Sequence, residues 1–383
     1  MHRRPSLVWL AAATIIATAC SDAAGPAAAP DDAALGSQLV PVSYTMIDLG
    51  PGSGMDINDN GAALIAGPDG AYLWTPGGGR VKIGDFFPTA MNDRGDVVGV
   101  TVFDYFSGQS LIWTAAGGAR PLTTDPAAPA TVATGINDRR EVTGTASGGG
   151  CTEVFRWTPG GGLVLLSHDF GGACEVYGVT LNTRGTIVAT VLPSVPNHET
   201  WLWNAREGWW QMAAGHDDSG ENGSLATDIN DRTEVSGVLT VASVSTGSFL
   251  WRPRTGFVEL GPVAGSDGAA FGLNDFGAVV GYSYSYGAWV RTRWGVVLPL
   301  EGGFPTDINN QGRIIGTSVE SGTPHAVLWV PSDAQAPAAS VARQGLFLQR
   351  APASLRAPAP VPLGASICLV GGTIVARPCA ALN

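Results

Sequence analysis

The stretch Leu273-Asn274-Asp275-Phe276-Gly277-Ala278-Val279-Val280 decides the fold of this chain, because its pattern recurs seven times. The shared phrase is an apolar residue and Asn, usually followed by Asp-x-Gly and then by a β-branched pair. The seven Asn positions are Asn58, Asn92, Asn137, Asn182, Asn230, Asn274 and Asn309, which are 34, 45, 45, 48, 44 and 35 residues apart. A period in the forties, built of strand and turn residues, is typical of a β-propeller or a similar array of stacked sheets.

Each repeat contains four short strands, and the fifth repeat shows them most clearly. We predict strands over 225–229, 234–241, 248–252 and 256–260, because each run alternates or is β-branched and is bounded by Gly, Pro, Asp or Ser. The chain contains 53 Gly and 26 Pro, and no stretch of it has a convincing helical period. This composition argues against long helices. Four antiparallel strands in one repeat make a propeller blade.

The repeated Asn is predicted to shape the turn between the first and second strands. A short polar side chain can cap its own turn through backbone N–H groups. The position three residues later often needs a positive φ, and Gly occupies it in five repeats: Gly61, Gly95, Gly185, Gly277 and Gly312. Arg140 and Thr233 replace this Gly in the other two repeats, where we expect a slightly costlier turn.

A Trp on the third strand is the second repeated feature. It occurs as Trp74, Trp113, Trp157, Trp203, Trp251 and Trp329, and we expect Val290 to take its place in the sixth repeat. A side chain of this size buries roughly 150–250 Å². Its recurrence at one register favours packing between neighbouring blades over stacking on a carbohydrate.

The two ends of the array predict how the ring closes. The seventh repeat reaches Trp329 and then runs into Pro331, so its fourth strand is missing, whereas residues 44–49 resemble an unpartnered fourth strand. If this N-terminal strand completes the seventh blade, the ring is closed. We therefore predict an all-β fold, a seven-bladed β-propeller over residues 42–332 with flexible N-terminal and C-terminal extensions.

The extensions divide into four segments. Residues 1–19 are predicted to be a signal peptide of the lipoprotein type, and residues 20–41 a flexible linker. Residues 333–363 are rich in Ala and Pro and are predicted to be a second linker. Residues 364–383 are predicted to be a disulfide hairpin or tail, because Gly371-Gly372 stands between two β-branched runs.

The N-terminus indicates export. Arg3 and Arg4 precede a short apolar stretch, and Ala17-Thr18-Ala19 stands directly before Cys20. This order is typical of a secretory signal, and the stretch is too short to span a bilayer. Small residues before a Cys resemble a bacterial lipobox, so we predict lipidation of Cys20, with the lipid as the sole membrane anchor. The residue Ser21 favours the outer membrane of a Gram-negative cell; the alternative is an ordinary signal peptide and free secretion.

The charge balance argues against a nucleic-acid partner. The chain has 21 basic and 32 acidic residues, and Lys82 is its single lysine. No basic stripe is available for a phosphate backbone. We expect a monomer whose partner is a glycan or a protein.

The four remaining cysteines are predicted to form disulfides. Cys151, Cys174, Cys368 and Cys379 are an even number of widely separated thiols in an exported chain. Cys151 and Cys174 fall in loops that should share one face of the third blade, and Cys368 and Cys379 could close the C-terminal hairpin. None has CxxC spacing, which disfavours a cysteine metal site.

Several segments resemble the HAF-type extracellular repeat proteins of bacteria. The closest matches are residues 324–329, which read Pro-His-Ala-Val-Leu-Trp, and residues 71–79, which read Ala-Tyr-Leu-Trp-Thr-Pro-Gly-Gly-Gly. The resemblance covers about residues 42–332, although the namesake His is present only at His325. It implies an exported repeat protein and supplies no catalytic residues.

The least repetitive loops contain the candidate binding residues. Loops between second and third strands share one face of a propeller with the connections between blades, and ligands usually bind there. One candidate is the loop with His216, Asp217, Asp218 and Glu221. Its oxygen atoms could hold Ca²⁺, or its His and Asp could serve acid–base chemistry, but a solvated loop without a partner explains it as well. We predict no other cofactor and no metal site.

Aromatic residues outside the repeat register are the second set of candidates. They are Phe86, Phe87, Tyr105, Phe106 and Tyr284, together with Tyr282 and Tyr286. Exposed rings beside carboxylates suit sugars or peptide surfaces. The alternative is that these rings cap the central channel or fill the cores of loops.

Two functions remain open at this point. The first is an exported, lipid-anchored binding or scaffold protein without catalytic activity, which presents the loops of the propeller to a glycan or a protein. The second is a polysaccharide lyase or hydrolase on the same fold, with His216, Asp217 and Asp218 as the available acid and base. Regular repeats favour the first, because a catalytic site usually breaks the pattern in several blades at once.

Overall fold

Short β-branched runs between Gly, Pro and Asn turns form strands throughout the repeats. The structure is a computed structural model, and it describes residues 43–101, 108–125, 128–148, 151–170, 175–192, 198–212, 222–241, 244–260, 268–320, 322–332, 367–370 and 373–376. Strands are the only regular elements in these ranges, so the predicted all-β class is confirmed. Within the same ranges, no helix is long and apolar enough to cross a membrane.

The first four blades are four-stranded antiparallel sheets whose strands follow chain order. Blade 1 contains β2 (Ser53–Ile57), β3 (Ala63–Gly67), β4 (Gly70–Thr75) and β5 (Gly79–Gly84). Blade 2 contains β6 (Phe87–Met91), β7 (Val97–Val100), β8 (Ser110–Thr114) and β9 (Gly118–Pro121). Blade 3 contains β10 (Ala130–Ile136), β11 (Val142–Gly148), β12 (Cys151–Thr158) and β13 (Gly162–Leu165). Blade 4 contains β14 (Glu175–Leu181), β15 (Ile187–Leu192), β16 (Glu199–Asn204) and β17 (Gly208–Gln211).

The last three blades repeat this arrangement, with one difference in blade 7. Blade 5 contains β18 (Asn222–Ile229), β19 (Val235–Val241), β20 (Val244–Arg252) and β21 (Gly256–Glu259). Blade 6 contains β22 (Gly268–Leu273), β23 (Val279–Ser283), β24 (Gly287–Arg291) and β25 (Val297–Leu300). Blade 7 takes β26 (Phe304–Ile308), β27 (Ile314–Ser318) and β28 (His325–Ser332) from the end of the array and β1 (Ser43–Pro51) from its start.

The pairing of β1 with β28 closes the ring. The two strands are antiparallel, with Thr45 opposite Val330 and Met46 opposite Trp329. Seven blades and an N-terminal strand that completes the last of them are therefore confirmed. Outside the propeller, β29 (Ile367–Val370) and β30 (Thr373–Ala376) pair as an antiparallel hairpin.

Apolar residues from adjacent blades form the core. A representative cluster joins Ala278, Val280 and Val290 of blade 6 to Val327 and Trp329 of blade 7. The other Trp residues of this register likewise lie in clusters with residues of the preceding blade, as Trp113 does with Leu64 of blade 1. Packing between blades thus accounts for the repeated Trp.

The expectation that Val290 replaces the missing Trp is wrong by one residue. In blade 5 Val235 pairs with Trp251, and the corresponding pair in blade 6 is Val279 with Arg291. The large ring of this blade is instead Trp289, which is fully buried against Leu250 and Ala270. The apolar bulk has moved two positions along the strand, to the next residue on the same face.

The turn after each first strand has the predicted backbone. Gly61, Gly95, Gly185, Gly277 and Gly312 have φ between 74° and 81°. Arg140 and Thr233 are the two described residues other than Gly with positive φ, at 59° and 60°. A β-branched residue is uncommon in this region of φ, so Thr233 carries the clearer cost.

We expect Thr233→Gly to stabilise the protein. Removing Cβ relieves a left-handed conformation that costs about 1–2 kcal/mol, and the greater freedom of Gly in the unfolded chain returns roughly 0.5–1 kcal/mol of this. The net gain in the free energy of unfolding should be about 0.5–1 kcal/mol by these two estimates, measured by urea denaturation.

The matched control is the reverse change in the next blade, Gly277→Thr. Gly277 has φ of 77°, and the nearest atom to an added Cβ is Glu234 Oε2 at 3.4 Å, so the space is sufficient and strain alone acts. This variant should be less stable than the wild type. A Thr233→Gly variant less stable than the wild type by about 0.5–1 kcal/mol, the cost of the glycine alone, would show that the turn carries no strain.

Candidate functional site

Antiparallel strands place the connections of every blade at two opposite ends of the ring. The turns with the repeated Asn share one end with the turns between third and fourth strands; we call this end the turn face. In blade 1, for example, a Cβ on Gly61 would lie 3.6 Å from Cγ of Pro76. The connections between second and third strands, and those from one blade to the next, lie at the opposite end, which we call the loop face.

The seven repeated Asn side chains form a closed ring of hydrogen bonds at the turn face. Each Asn is at most 6% exposed. Each Oδ1 accepts the backbone N–H four residues later in its own turn, at 2.9–3.0 Å. Each Nδ2 donates to the backbone carbonyl of the Asn in the next blade, at 2.9–3.2 Å. The bond from Asn309 to Asn58 completes the circle.

A second ring involves the residue that follows each Asn. In six of the seven steps its backbone N–H donates to the side chain at the same position in the next blade, at 2.7–3.0 Å. The step from Asp138 to blade 4 is absent among the described residues, because Thr183 has a hydroxyl there, which donates to Asp231. Five of the seven residues at this position are Asp, and their carboxyl groups surround the opening of the central channel of the propeller, which we call the mouth: Asp59, Asp93, Asp138, Asp231 and Asp275.

The mouth opens into a cavity of about 420 Å³, lined by the Asn ring, the residues after it and the apolar residues before it. The carboxyl groups around it are tied to backbone N–H groups of neighbouring blades. Within the described ranges, no three His, Cys, Asp or Glu side chains come together as a group that could hold a metal ion. The mouth is therefore acidic.

Three further carboxyl groups lie two residues before the ring Asn, on the innermost strands of blades 1, 5 and 7. Each binds the next blade: the N–H of Met91 donates to Asp56 at 2.7 Å, that of Leu273 to Asp228 at 2.8 Å, and that of Ile57 to Asp307 at 3.1 Å. A register shift just before each of these Asp residues marks a bulge, which re-aims side chains.

The pKa values of these three carboxyl groups are raised. Burial, and then the neighbouring carboxyl of Asp307, raise the pKa of Asp56 well above its usual value. Burial, followed by the charge of Asp307, raises the pKa of Asp228 to about 8. Burial also raises the pKa of Asp307. The side chains of Asp56 and Asp307 hydrogen-bond to each other, which requires a proton on one of them.

At the loop face, the predicted aromatic residues have different surroundings. Tyr284 and Tyr286 are 61% and 46% exposed in the hairpin between β23 and β24. The ring of Tyr282 meets that of Tyr284 edge-on at 5.9 Å and that of Phe304 at 4.4 Å. We call Tyr282, Tyr284 and Tyr286 the tyrosine hairpin.

The other predicted binding residues do not join this surface. Phe86 is only 5% exposed, in a cluster with Leu64 and Leu111, so it belongs to the core, and Phe87 is half-buried at the start of β6. Six candidates lie outside the described residues: Tyr105, Phe106, His216, Asp217, Asp218 and Glu221. Of the candidates within the described ranges, the structure therefore brings together the three residues of the tyrosine hairpin.

The cysteine predictions remain predictions. Cys151 begins β12, and its expected partner Cys174 lies outside the described residues. Cys368 lies in β29, and Cys379 is outside the described ranges, as is Cys20.

A loop-face cluster that the sequence did not indicate lies between blades 3 and 4. The exposed ring of His168 lies 4.7 Å from that of Phe170 and 5.1 Å from that of Trp201. Ser167 donates to Glu153 at 2.6 Å. Ser167 and His168 thus contact different neighbours, a carboxylate and two aromatic rings.

The sequence also did not predict a small cleft where β1 closes the ring. It has a volume of about 210 Å³ and is lined by Tyr44, Met46, Glu301, Gly302, Glu320 and Trp329. Glu301 belongs to the connection between blades 6 and 7, and Glu320 to the loop between β27 and β28, so both are at the loop face. No sequence pattern could indicate this cleft, because β1 brings Met46 to it from the other end of the array.

Comparison with known proteins indicates no particular activity. No protein-family profile matches this sequence, and no curated protein matches it either. Membership of the HAF-type repeat family therefore stays a prediction.

Among solved structures, the chain is similar to a gluconolactonase of Xanthomonas campestris, with 13% identity, 78% of this chain and 92% of that chain covered, and a TM-score of 0.42. It is also similar to puromycin hydrolase, with 16% identity, 77% of this chain and 54% of that chain covered, and a TM-score of 0.48. For TolB of Acinetobacter baumannii the identity is 16%, the similarity covers 52% of each chain, and the TM-score is 0.34. The chain thus spans about half the length of the last two proteins, and similarities this weak carry no argument about function.

The carboxyl groups with raised pKa predict that the protein loses stability as pH rises. A raised pKa means that the folded state holds the proton more tightly than the unfolded chain does. The contribution is fully present below the usual Asp pKa of 3.8 and is lost as pH rises through the folded value, about 8 for Asp228. The free energy of unfolding should therefore fall between pH 5 and pH 8.5, by up to about 1.4 kcal/mol per pH unit for each such group.

The variant Asp228→Asn has no proton to lose, and its single oxygen can accept from the N–H of Leu273 or of Ile229 but not from both. The lost acceptor lowers the stability at every pH, so the slope is the test: the urea denaturation series of Asp228→Asn should depend less steeply on pH than that of the wild type. Asp125→Asn, at an exposed loop position, makes the same charge change and should leave the slope unaltered. Parallel slopes for the wild type and Asp228→Asn would contradict the assignment.

Proposed function

We propose that this chain is an exported, lipid-anchored binding or scaffold protein without catalytic activity, which presents its loop face to a glycan or a protein partner. The tyrosine hairpin is the observation that carries the proposal. Exposed Tyr rings combine a large apolar surface with a hydroxyl group, and interfaces are enriched in them. Blade 6 holds these rings in a tight hairpin between two paired strands, so little conformational entropy is lost on binding.

The regularity of the ring supports a binding role. Identical hydrogen bonds fix all seven turns at the turn face, whereas the side chains at the loop face differ from blade to blade. A rigid scaffold with variable loops is a common arrangement for recognition. The acidic composition and the single lysine make an anionic polymer a poor partner.

The binding proposal is tested with Tyr284→Ala/Tyr286→Ala in the full chain. A thermal-shift screen of the wild type against oligosaccharides and candidate partner proteins should find a ligand that raises the melting temperature. A ligand at a hundred times its Kd adds about 2.7 kcal/mol. The double variant should melt like the wild type without ligand, because both rings are exposed, and should bind at least tenfold more weakly. Trp294→Ala, which removes a ring 42% exposed on the turn face, is the control and should bind normally. Equal weakening by Trp294→Ala would refute a loop-face site.

The lipid anchor is tested with Cys20→Ser. In a Gram-negative host, the wild-type chain should fractionate with the outer membrane and require detergent for release. The variant lacks the thiol that would carry the lipid, so it should move to the soluble periplasmic or secreted fraction. Mass spectrometry of the purified wild type should show the added acyl mass on an N-terminal peptide that begins at Cys20. The anchor is excluded if the two chains fractionate alike and the peptide is unmodified.

A further inference from the structure

The cleft at the closure of the ring has an acidic rim and an apolar lining. Met46, which is 39% exposed, forms one wall of the cleft. Gly302, in the connection from blade 6 to blade 7, forms the opposite wall. A Cβ placed on Gly302 would lie 3.0 Å from Met46 Sδ and 3.7 Å from Glu320 Oε1. One carboxyl group, one thioether and the chain after Glu301 therefore meet around a space of about 210 Å³.

The rim is held in place by the main chain. The indole Nε1 of Trp329 donates to the backbone carbonyl of Glu301 at 2.9 Å, which fixes the residue from which this side chain projects. The backbone N–H of Glu320 donates to Ser318 Oγ at 3.4 Å. Both glutamates are exposed, and neither forms an ion pair with any residue that the structure describes. Other acidic residues of the propeller, such as Asp96 and Glu234, have arginine partners.

The tyrosine hairpin lies on the same face of the neighbouring blade. Phe304 follows Glu301 by three residues, and its ring contacts that of Tyr282. Tyr282 packs against the apolar cluster that joins blades 6 and 7 and contains Trp329. The hairpin and the two glutamates are thus both at the loop face of blades 6 and 7.

This surface suits a cation better than a sugar ring. Trp329 is only 1% exposed, so its face is not open for stacking on a pyranose. A guanidinium group can place its fork against carboxylate oxygens while its methylene stem lies along apolar atoms such as those of Met46. The net charge of −11 also favours encounter with a basic segment.

We propose that Glu301 and Glu320 bind the guanidinium group of an arginine from a protein partner, with the tyrosine hairpin covering the residues beside it. This assignment rests on the proposed binding function and specifies the partner as a protein with an exposed arginine. Lysine fits less well, because its ammonium group is a point charge that cannot engage two carboxylates through a planar fork.

The test uses the full chain and a defined probe, the peptide acetyl-Tyr-Gly-Arg-Gly-Tyr-amide, with calorimetry at low and at physiological salt. The matched peptide with citrulline in place of arginine keeps the shape and loses the charge. We expect the citrulline peptide to bind at least tenfold more weakly. Glu301→Gln/Glu320→Gln should weaken the arginine peptide at least fivefold, whereas Glu153→Gln/Glu207→Gln, with the same charge change on blades 3 and 4, should not. The melting temperatures of both double variants report that they remain folded.

The outcomes separate this assignment from the function on which it rests. Equal binding of the arginine and citrulline peptides, or equal effects of the two double variants, would overturn the arginine site. If the peptide does not bind but an oligosaccharide does, and Tyr284→Ala/Tyr286→Ala weakens that binding, the arginine site is wrong and the binding function stands. If neither probe binds and no partner protein is captured through the loop face, both are wrong.

Discussion

The hydrogen bonds from each ring Asn to the backbone of the next blade set the positions of all seven innermost strands. One side chain does two tasks, because Oδ1 closes its own turn and Nδ2 reaches the neighbouring blade. Every atom involved is buried, and an unpartnered buried polar group costs about 1–3 kcal/mol. The bonds can all form only when seven blades are present in one register. The ring therefore aligns neighbouring blades as well as closing each turn, and it joins blade 7 to blade 1 through Asn309 and Asn58 by the same bond as every other pair.

Carboxyl groups next to this ring also link the blades, and two opposing influences determine whether they are charged. Asp56, Asp228 and Asp307 each accept a backbone N–H of the following blade, which favours the charged form, while burial and proximity to one another favour the neutral form. The second influence dominates, so these groups hold protons at pH values where exposed Asp residues have lost theirs. The three contacts are confined to blades 1, 5 and 7, because Ala90, Gly135, Thr180 and Gly272 occupy the position elsewhere. Two of the three, Asp56 and Asp307, lie in the adjacent blades 1 and 7.

The sequence predicted those features that each repeat encodes by itself. The Asn turn recurs seven times, and the positive φ of Arg140 and Thr233 and the strand that completes blade 7 follow from aligning the repeats with one another. The misassigned Val290 shows the limit of this reasoning, since a shift of the large ring by two residues keeps the alternation that the sequence shows. The candidate site was harder to predict from the sequence. Tyr284 stood out as an aromatic residue outside the register, but the cleft could not, because pairing between β1 and β28 joins residues about 270 positions apart in the chain, such as Met46 and Glu320.

The closure of the ring and the candidate site coincide for a physical reason. A strand contributed from the N-terminus is free of the constraints that the repeat imposes on outer strands, and β1 is nine residues long where the outer strands of blades 1 to 6 have four or six. It can therefore carry Met46 and Ile47, both about 40% exposed, without disturbing any blade-to-blade contact. The connection of blade 6 to blade 7 is equally unconstrained, which allows Gly302 to approach Met46 and leaves Glu301 at the rim. A propeller that must keep seven identical turns at one face can vary most at the other face, where its closing strand leads into blade 1.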